Sequence, residues 1–258
     1  MRVQAQAEPI QLGAGRTGVL LSHGFTGTPS SMRPWARYLA DAGLRVSAPR
    51  LPGHGTSWQQ MNRTSWEDWY AAVERAYLRL RDECDLVVVG GQSMGGALVL
   101  RLAAEYGSAI SGVVLVNPSL TDRRPVMIAL PVARRLLGSV SGIGSDIAKP
   151  GAAEHSYDRV PLHALAGLKR LWRTVGRDLP RVRQPLLVFR SAVDHVVAAD
   201  SVRLLRRRVG SAHVEEEVLP DSYHVATLDY DAPRIFAGTL EFIRKFQPNG
   251  DVRPVTNQ

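Results

Sequence analysis

One local pattern in the chain is suited to nucleophilic chemistry: Gly91-Gln92-Ser93-Met94-Gly95, between an apolar run at 86–89 and a helical stretch beginning near Met94. A G-x-S-x-G pentapeptide arises by chance about once in ten chains of this glycine and serine content, so its context has to carry the inference. A sharp turn from strand into helix holds a serine in a strained conformation that projects its oxygen, and small flanking residues let the two elements approach closely. Gly91, Gly95 and Gly96 meet that requirement. Serine is a weak nucleophile at its own pKa, so it needs a base beside it and a carboxylate to orient that base. The chemistry implied is acyl transfer through a covalent intermediate.

In a turn of this kind the partners follow in the order Ser, acid, His. Asp194 comes just after an apolar run at 186–189, and His224 comes after a run at 215–219, which puts both at the carboxyl ends of expected strands. Six other histidines compete for the base role. His155 and His163 precede any suitable acid, and His213 comes before its strand, at the far end of a parallel sheet from Ser93. His195 adjoins Asp194, where neighbouring side chains tend to diverge; it stays open as the less favoured base. Asp221 and Asp229 stay open as alternative acids, although they lie close in sequence to His224.

The negative charge that develops on an attacked carbonyl needs two backbone donors, one after the serine and one from the loop after an early strand. Met94 is expected to supply the first. The loop His23-Gly24-Phe25-Thr26-Gly27 follows the run at 19–22, and the N–H of Phe25 is expected to be the second. His23, and His54 in Pro52-Gly53-His54-Gly55, read as loop-ordering residues.

The elements that must position these groups follow from periodicity. Short strand-length runs at 19–22, 44–48, 86–89, 113–116, 186–189 and 215–219, mostly apolar apart from the glutamates at 215–217, alternate with stretches of helical spacing at 31–42, 66–81 and 94–106. Such alternation predicts an α/β fold with a mostly parallel sheet and helices on both faces. Between Pro118 and Pro180 the alternation fails. Apolar helical material at 126–137 and 162–175 flanks a Gly/Ser-rich joint at 138–145, as expected of a small inserted cap. The division is a discontinuous core, 1–118 and 181–258, with a cap at 119–180.

The formal charge is +8 and almost wholly arginine, the only lysines being Lys149, Lys169 and Lys245. The arginines are spread along helical stretches and no nucleic-acid motif accompanies them, so they read as solvated faces rather than a polyanion site. Weak attraction to a membrane surface is compatible with this charge. The single Cys84 cannot form an internal disulfide, and no run approaches the roughly 18 apolar residues of a membrane span. A cytoplasmic location is the expectation; oligomeric state is not legible.

The segments SHGFTGTPSSMRP, PRLPGHGT, GQSMGG, SVSGIGSD, VDHVV and DSYHVATLDYD resemble the bacterial monoacylglycerol lipases and related carboxylesterases of the α/β-hydrolase superfamily, over roughly residues 17–246. The resemblance implies an α/β-hydrolase fold whose small cap covers an acyl tunnel, with Ser93 as nucleophile, Asp194 as acid, His224 as base and Phe25 and Met94 as oxyanion donors. It further implies Ile143 as an apolar wall and Glu154 as a hydroxyl partner for a glycerol head group. No motif carries over across 120–138. The substrate implied is a small acyl ester, a monoacylglycerol above all, cleaved with no metal and no organic cofactor. General carboxylesterase and thioesterase activity on medium chains are the alternatives. Carbon–carbon hydrolase and perhydrolase chemistry keep the same triad, whereas epoxide hydrolases and dehalogenases use an aspartate where Ser93 stands. A non-catalytic ligand-binding role is the remaining class.

Overall fold

The computed structural model describes residues 3–124, 126–142 and 144–246. In chain order the elements are β1 (Ile10–Leu12), β2 (Thr17–Ser22), α1 (Arg33–Asp41), β3 (Arg45–Ala48), α2 (Trp58–Met61), α3 (Trp66–Glu83), β4 (Leu86–Gln92), α4 (Met94–Tyr106) and β5 (Gly112–Val116). They continue as α5 (Val126–Leu136), β6 (Ser139–Ser141), β7 (Arg159–Pro161), α6 (Leu162–Asp178), β8 (Leu186–Ser191), α7 (Asp200–Arg208), β9 (Val214–Leu219) and α8 (Ala232–Arg244). Local chemistry sets several boundaries. Ser65 caps α3, its hydroxyl accepting from the N–H of Asp68 at 3.3 Å while the Asp68 carboxylate accepts from the N–H of Ser65 at 2.8 Å.

Among the described residues the main sheet has seven strands in the order β1-β3-β2-β4-β5-β8-β9. Every neighbouring pair is parallel except β1 with β3. Apolar residues fill both faces because side chains alternate along a strand. Val87, Val89, Val113, Leu115, Leu186 and Val188 pack with α3, α4 and α6 on one side. Val88, Val114, Val116, Leu187 and Phe189 pack with α1 and α8 on the other. One face of each strand thus joins one core, and the next residue joins the other.

Sheet order reverses between β2 and β4: the chain leaves β2 for β3 on one side and returns to β4 on the other. At such a switch point the loops at the carboxyl ends diverge and leave a crevice. Ser22 pairs with Gly91 and Gln92 with Val116, so the loops after β2, β4 and β5 emerge side by side.

Three features depart from the periodicity. β1 is an edge strand of three residues, too short to show alternation. β6, within the expected Gly/Ser joint, pairs antiparallel with β7 beyond it, Val140 facing Val160, although Ser139-Val140-Ser141 has no apolar run. α6 extends to Asp178 and packs against α4 and α3, so it also serves as the crossover helix that carries the chain from β5 to parallel β8. No helix among the described residues is long and apolar enough to cross a membrane.

Candidate active site

Ser93 sits between β4 and α4 with φ 54° and ψ −119°, a conformation that a residue with a side chain rarely adopts. Its surroundings hold it there. The Ser93 N–H donates to Val116 O at 3.0 Å, and the Ser93 carbonyl accepts from Gly96 at 3.0 Å and Ser119 at 3.1 Å. A methyl group at Gly95 would overlap the carbonyl of Ser22, and one at Gly91 would overlap the backbone of Gly95. The glycines are therefore required by the close approach of α4 to β2 and β4.

Met94 opens α4, so its N–H is among the first four that lack an acceptor within the helix. The loop after β2 runs alongside, Gly24 lying against Ser93, and Gly24, Phe25 and Ser93 line one cavity. His23 orders that loop: its Nδ1 donates to Gly24 O at 3.0 Å while its Nε2 accepts from the Leu51 N–H at 3.4 Å. That division of roles requires the neutral ring, and burial accordingly lowers its pKa to about 4. His54 lies edge-on to His23 at 5.0 Å and to Trp69 at 5.6 Å, and its pKa is likewise pushed far down, chiefly by burial.

Asp194 follows β8 and His224 follows β9. His224 Nδ1 donates to Asp194 Oδ2 at 2.8 Å, and both side chains are almost fully buried. The other carboxylate oxygen accepts from the N–H groups of Val197 at 2.7 Å and Val196 at 2.9 Å. Burial alone would raise the Asp194 pKa. The hydrogen bond and charge of His224, with those two backbone donors, outweigh it and hold the carboxyl below its usual range. His224 and Ser93 line the same cavity.

The remaining candidates lie elsewhere. His195 turns away from Asp194 and pairs with Asp146, its Nδ1 2.8 Å from Asp146 Oδ1. Asp229 accepts backbone N–H groups from Ala148, Lys149, Tyr223 and Tyr230, and the Asp221 N–H donates to Asp231. His213 bonds Ser211 at the start of β9, away from the carboxyl ends. Glu154 comes to the site from the segment between β5 and β8, where a methyl at Gly27 would stand 2.6 Å from its Oε1. Burial raises the Glu154 pKa, opposed by His224 and the hydroxyl of Ser31. Ile143 lies outside the described residues.

Periodicity did not reveal Asn117. At φ 44°, directly after β5, its amide nitrogen donates to Ser191 Oγ at 2.8 Å and to His224 O at 2.9 Å, and its amide oxygen accepts from the Ser191 N–H at 2.8 Å. It thus ties the His224 loop to the ends of β5 and β8. The only local signal was an asparagine before a proline at a strand end, which marks a turn. Asp146 was also missed.

The cavity holds about 370 Å³ and is mostly apolar, walled by Phe25, Met127, Leu130, Val160, Leu162, Leu165, Leu168 and Trp172, with Ser93, His224 and Glu154 among its polar groups. That volume suits a small ligand with a hydrocarbon portion. Among the described residues no group of three or more His, Cys, Asp or Glu is placed to hold a metal ion.

A mostly parallel sheet, helices on both faces and a strained serine at the strand–helix turn define the α/β-hydrolase fold. The chain belongs to the family described as serine aminopeptidase, S33, whose model matches residues 14–231. It is 42% identical over 243 residues to the thermostable monoacylglycerol lipase of Bacillus sp. (strain H-257), covering 94% of this chain and 96% of that protein. It is 27% identical to a carboxylesterase of Bacillus subtilis (strain 168), covering 92% and 96%. Among solved structures, one reported for LipS and LipT, two metagenome-derived lipolytic enzymes, superposes with a TM-score of 0.91 at 39% identity, covering 95% of this chain and all of that one.

Proposed function

We propose that this chain is a carboxylic ester hydrolase that cleaves monoacylglycerols to fatty acid and glycerol. The observation that carries the reading is the 2.8 Å bond between His224 and Asp194, beside Ser93, in an apolar cavity. Ser93 Oγ adds to the ester carbonyl carbon as its proton passes to His224 Nε2, and the resulting oxyanion rests on the N–H groups of Phe25 and Met94. The ester C–O bond then breaks and His224 returns the proton to the departing alcohol. Water, deprotonated by the same imidazole, releases the acid from Ser93. Each oxyanion donor lowers the barrier by about 3 kcal/mol.

Residues 119–180 act as the cap, with α6 as its base on the core, and the acyl chain lies along the apolar wall that α5 and α6 provide. Glu154 meets the glycerol hydroxyls. This apolar wall favours an acyl substrate over a peptide, despite the family's description. A weak association with membrane surfaces is supported by Ile128 and Leu136 on α5, 80% and 78% exposed. The unpaired Cys84 accords with a cytoplasmic location.

The test is hydrolysis of monoolein and of a p-nitrophenyl ester series, with labelling of Ser93 by an organophosphonate and Ser93→Ala as the blank. Monoolein turnover and labelling, both abolished in Ser93→Ala, are the expected results. Unlabelled wild-type protein would end the proposal.

A further inference from the structure

The segment between β6 and β7 does more than cover the cavity: it is bonded to both loops that carry the acid and the base. Asp146, 8% exposed, is the centre of this arrangement. Its Oδ2 accepts from the backbone N–H of His195 and from that of His224, each at 3.2 Å, and its Oδ1 accepts from His195 Nδ1 at 2.8 Å. Its own carbonyl accepts from the N–H of Val225 at 3.0 Å. Asp146 therefore makes two bonds to the residue after Asp194 and two to His224 and the residue after it. Asp229 closes the strap from the opposite side, taking the N–H groups of Ala148 and Lys149 from the strap and that of Tyr223 from the His224 loop.

We infer that Asp146 is a positioning residue for the reaction: its carboxylate sets the spacing between the Asp194 loop and the His224 loop, so the cap governs the alignment of the imidazole. The inference rests on the triad reading above. A carboxylate is suited to the task because it accepts several N–H groups at once and bonds strongly while buried. Displacing a catalytic group by about 1 Å can lower a rate by about 100-fold, so a strap that fixes two loops bears on turnover more than on substrate affinity. Among the described residues, carboxylates face His224 from Asp194 at Nδ1, Glu154 across the cavity and Asp146 at its backbone; the His195 ring stands on Tyr223 at 4.7 Å.

The experiment measures kcat and KM on p-nitrophenyl octanoate for wild type, Asp146→Ala, Asp146→Asn, Asp146→Glu and Ser93→Ala. Asp146→Ala is expected to lose about tenfold or more in kcat, with KM changed by less than about threefold. Asp146→Asn, which keeps an acceptor for the two backbone groups, retains more kcat than Asp146→Ala. A kcat above half of wild type in Asp146→Ala, or a loss expressed in KM alone, overturns the inference. Should Asp146→Ala fail to fold, Asp146→Glu, whose extra methylene alters the spacing of the two loops, decides: a kcat above half of wild type overturns the inference equally. Activity persisting in Ser93→Ala strikes the triad reading instead, which separates the two failures.

Discussion

Asp194 presents one carboxylate oxygen to His224 Nδ1 at 2.8 Å while two backbone N–H groups occupy the other, so the acid has a single orientation available to it. An imidazole bonded in this way carries its proton on Nδ1 and leaves Nε2 as the basic atom.

Replacing Asp194 with Asn offers Nδ1 a donor in place of an acceptor on rotation of the amide, and the favoured tautomer is lost. Asp194→Asn should lower kcat by about 10⁴-fold with little change in KM, measured on a soluble p-nitrophenyl ester. The same carboxylate contributes to acid stability. Its folded pKa lies below the unfolded value, so the contribution is complete above about pH 4 and disappears as pH falls through the folded value. Thermal unfolding of wild type and Asp194→Asn should differ at pH 6 and converge at the acid extreme.

Glu154 has the opposite sign. Burial raises its pKa, so the folded state binds more protons than the unfolded state between the two values, and the penalty for the charged form is complete above the folded value. Glu154→Gln should raise Tm at pH 8, and the difference should shrink as pH falls. If the carboxylate also meets the glycerol hydroxyls, the variant loses the preference for monoolein over ethyl oleate. Equal preference in both proteins defeats the glycerol site, whatever the stability result.

Two glycines separate steric need from conformational need. Gly95→Ala places a methyl into the backbone of β2 and should cost about 3 kcal/mol by urea denaturation, with loss of Ser93 labelling. Gly144 has φ +75° and open space around it, so Gly144→Ala should cost about 1 kcal/mol, from the backbone conformation alone. Equal losses would contradict the packing account of the turn at Ser93.

An apolar cavity should reward each added methylene by about 0.8 kcal/mol, roughly fourfold in kcat/KM, until the space is full. Leu165 lines that cavity from α6. Leu165→Trp occupies part of it, and the optimum of the p-nitrophenyl ester series should move to a shorter chain. An unchanged optimum would place the acyl chain elsewhere.

Much of this molecule is legible in one dimension. The strand–turn–helix around Ser93, the strand ends before Asp194 and His224, and the two faces of the sheet all follow from residue types within a few positions of one another. Helical and strand periodicity, and the crowding of Gly91 against Gly95, are local properties of a chain, whereas the crowding at Gly95 comes from Ser22 on β2.

What stayed hidden depends on partners distant in sequence. Asn117 bonds Ser191 and His224, 74 and 107 positions away, and Asp146 bonds His195 and His224, 49 and 78 positions away. No periodicity encodes which backbone N–H an asparagine or aspartate will meet, because that depends on how separate loops converge at the rim of the sheet. The β6–β7 pair was missed for the same reason, a strand of three residues being stabilised by its partner rather than by its own pattern. Residue types and spacing identify which groups are candidates for the chemistry; loop convergence brings them together, since it depends on contacts that exist after the chain has closed on itself.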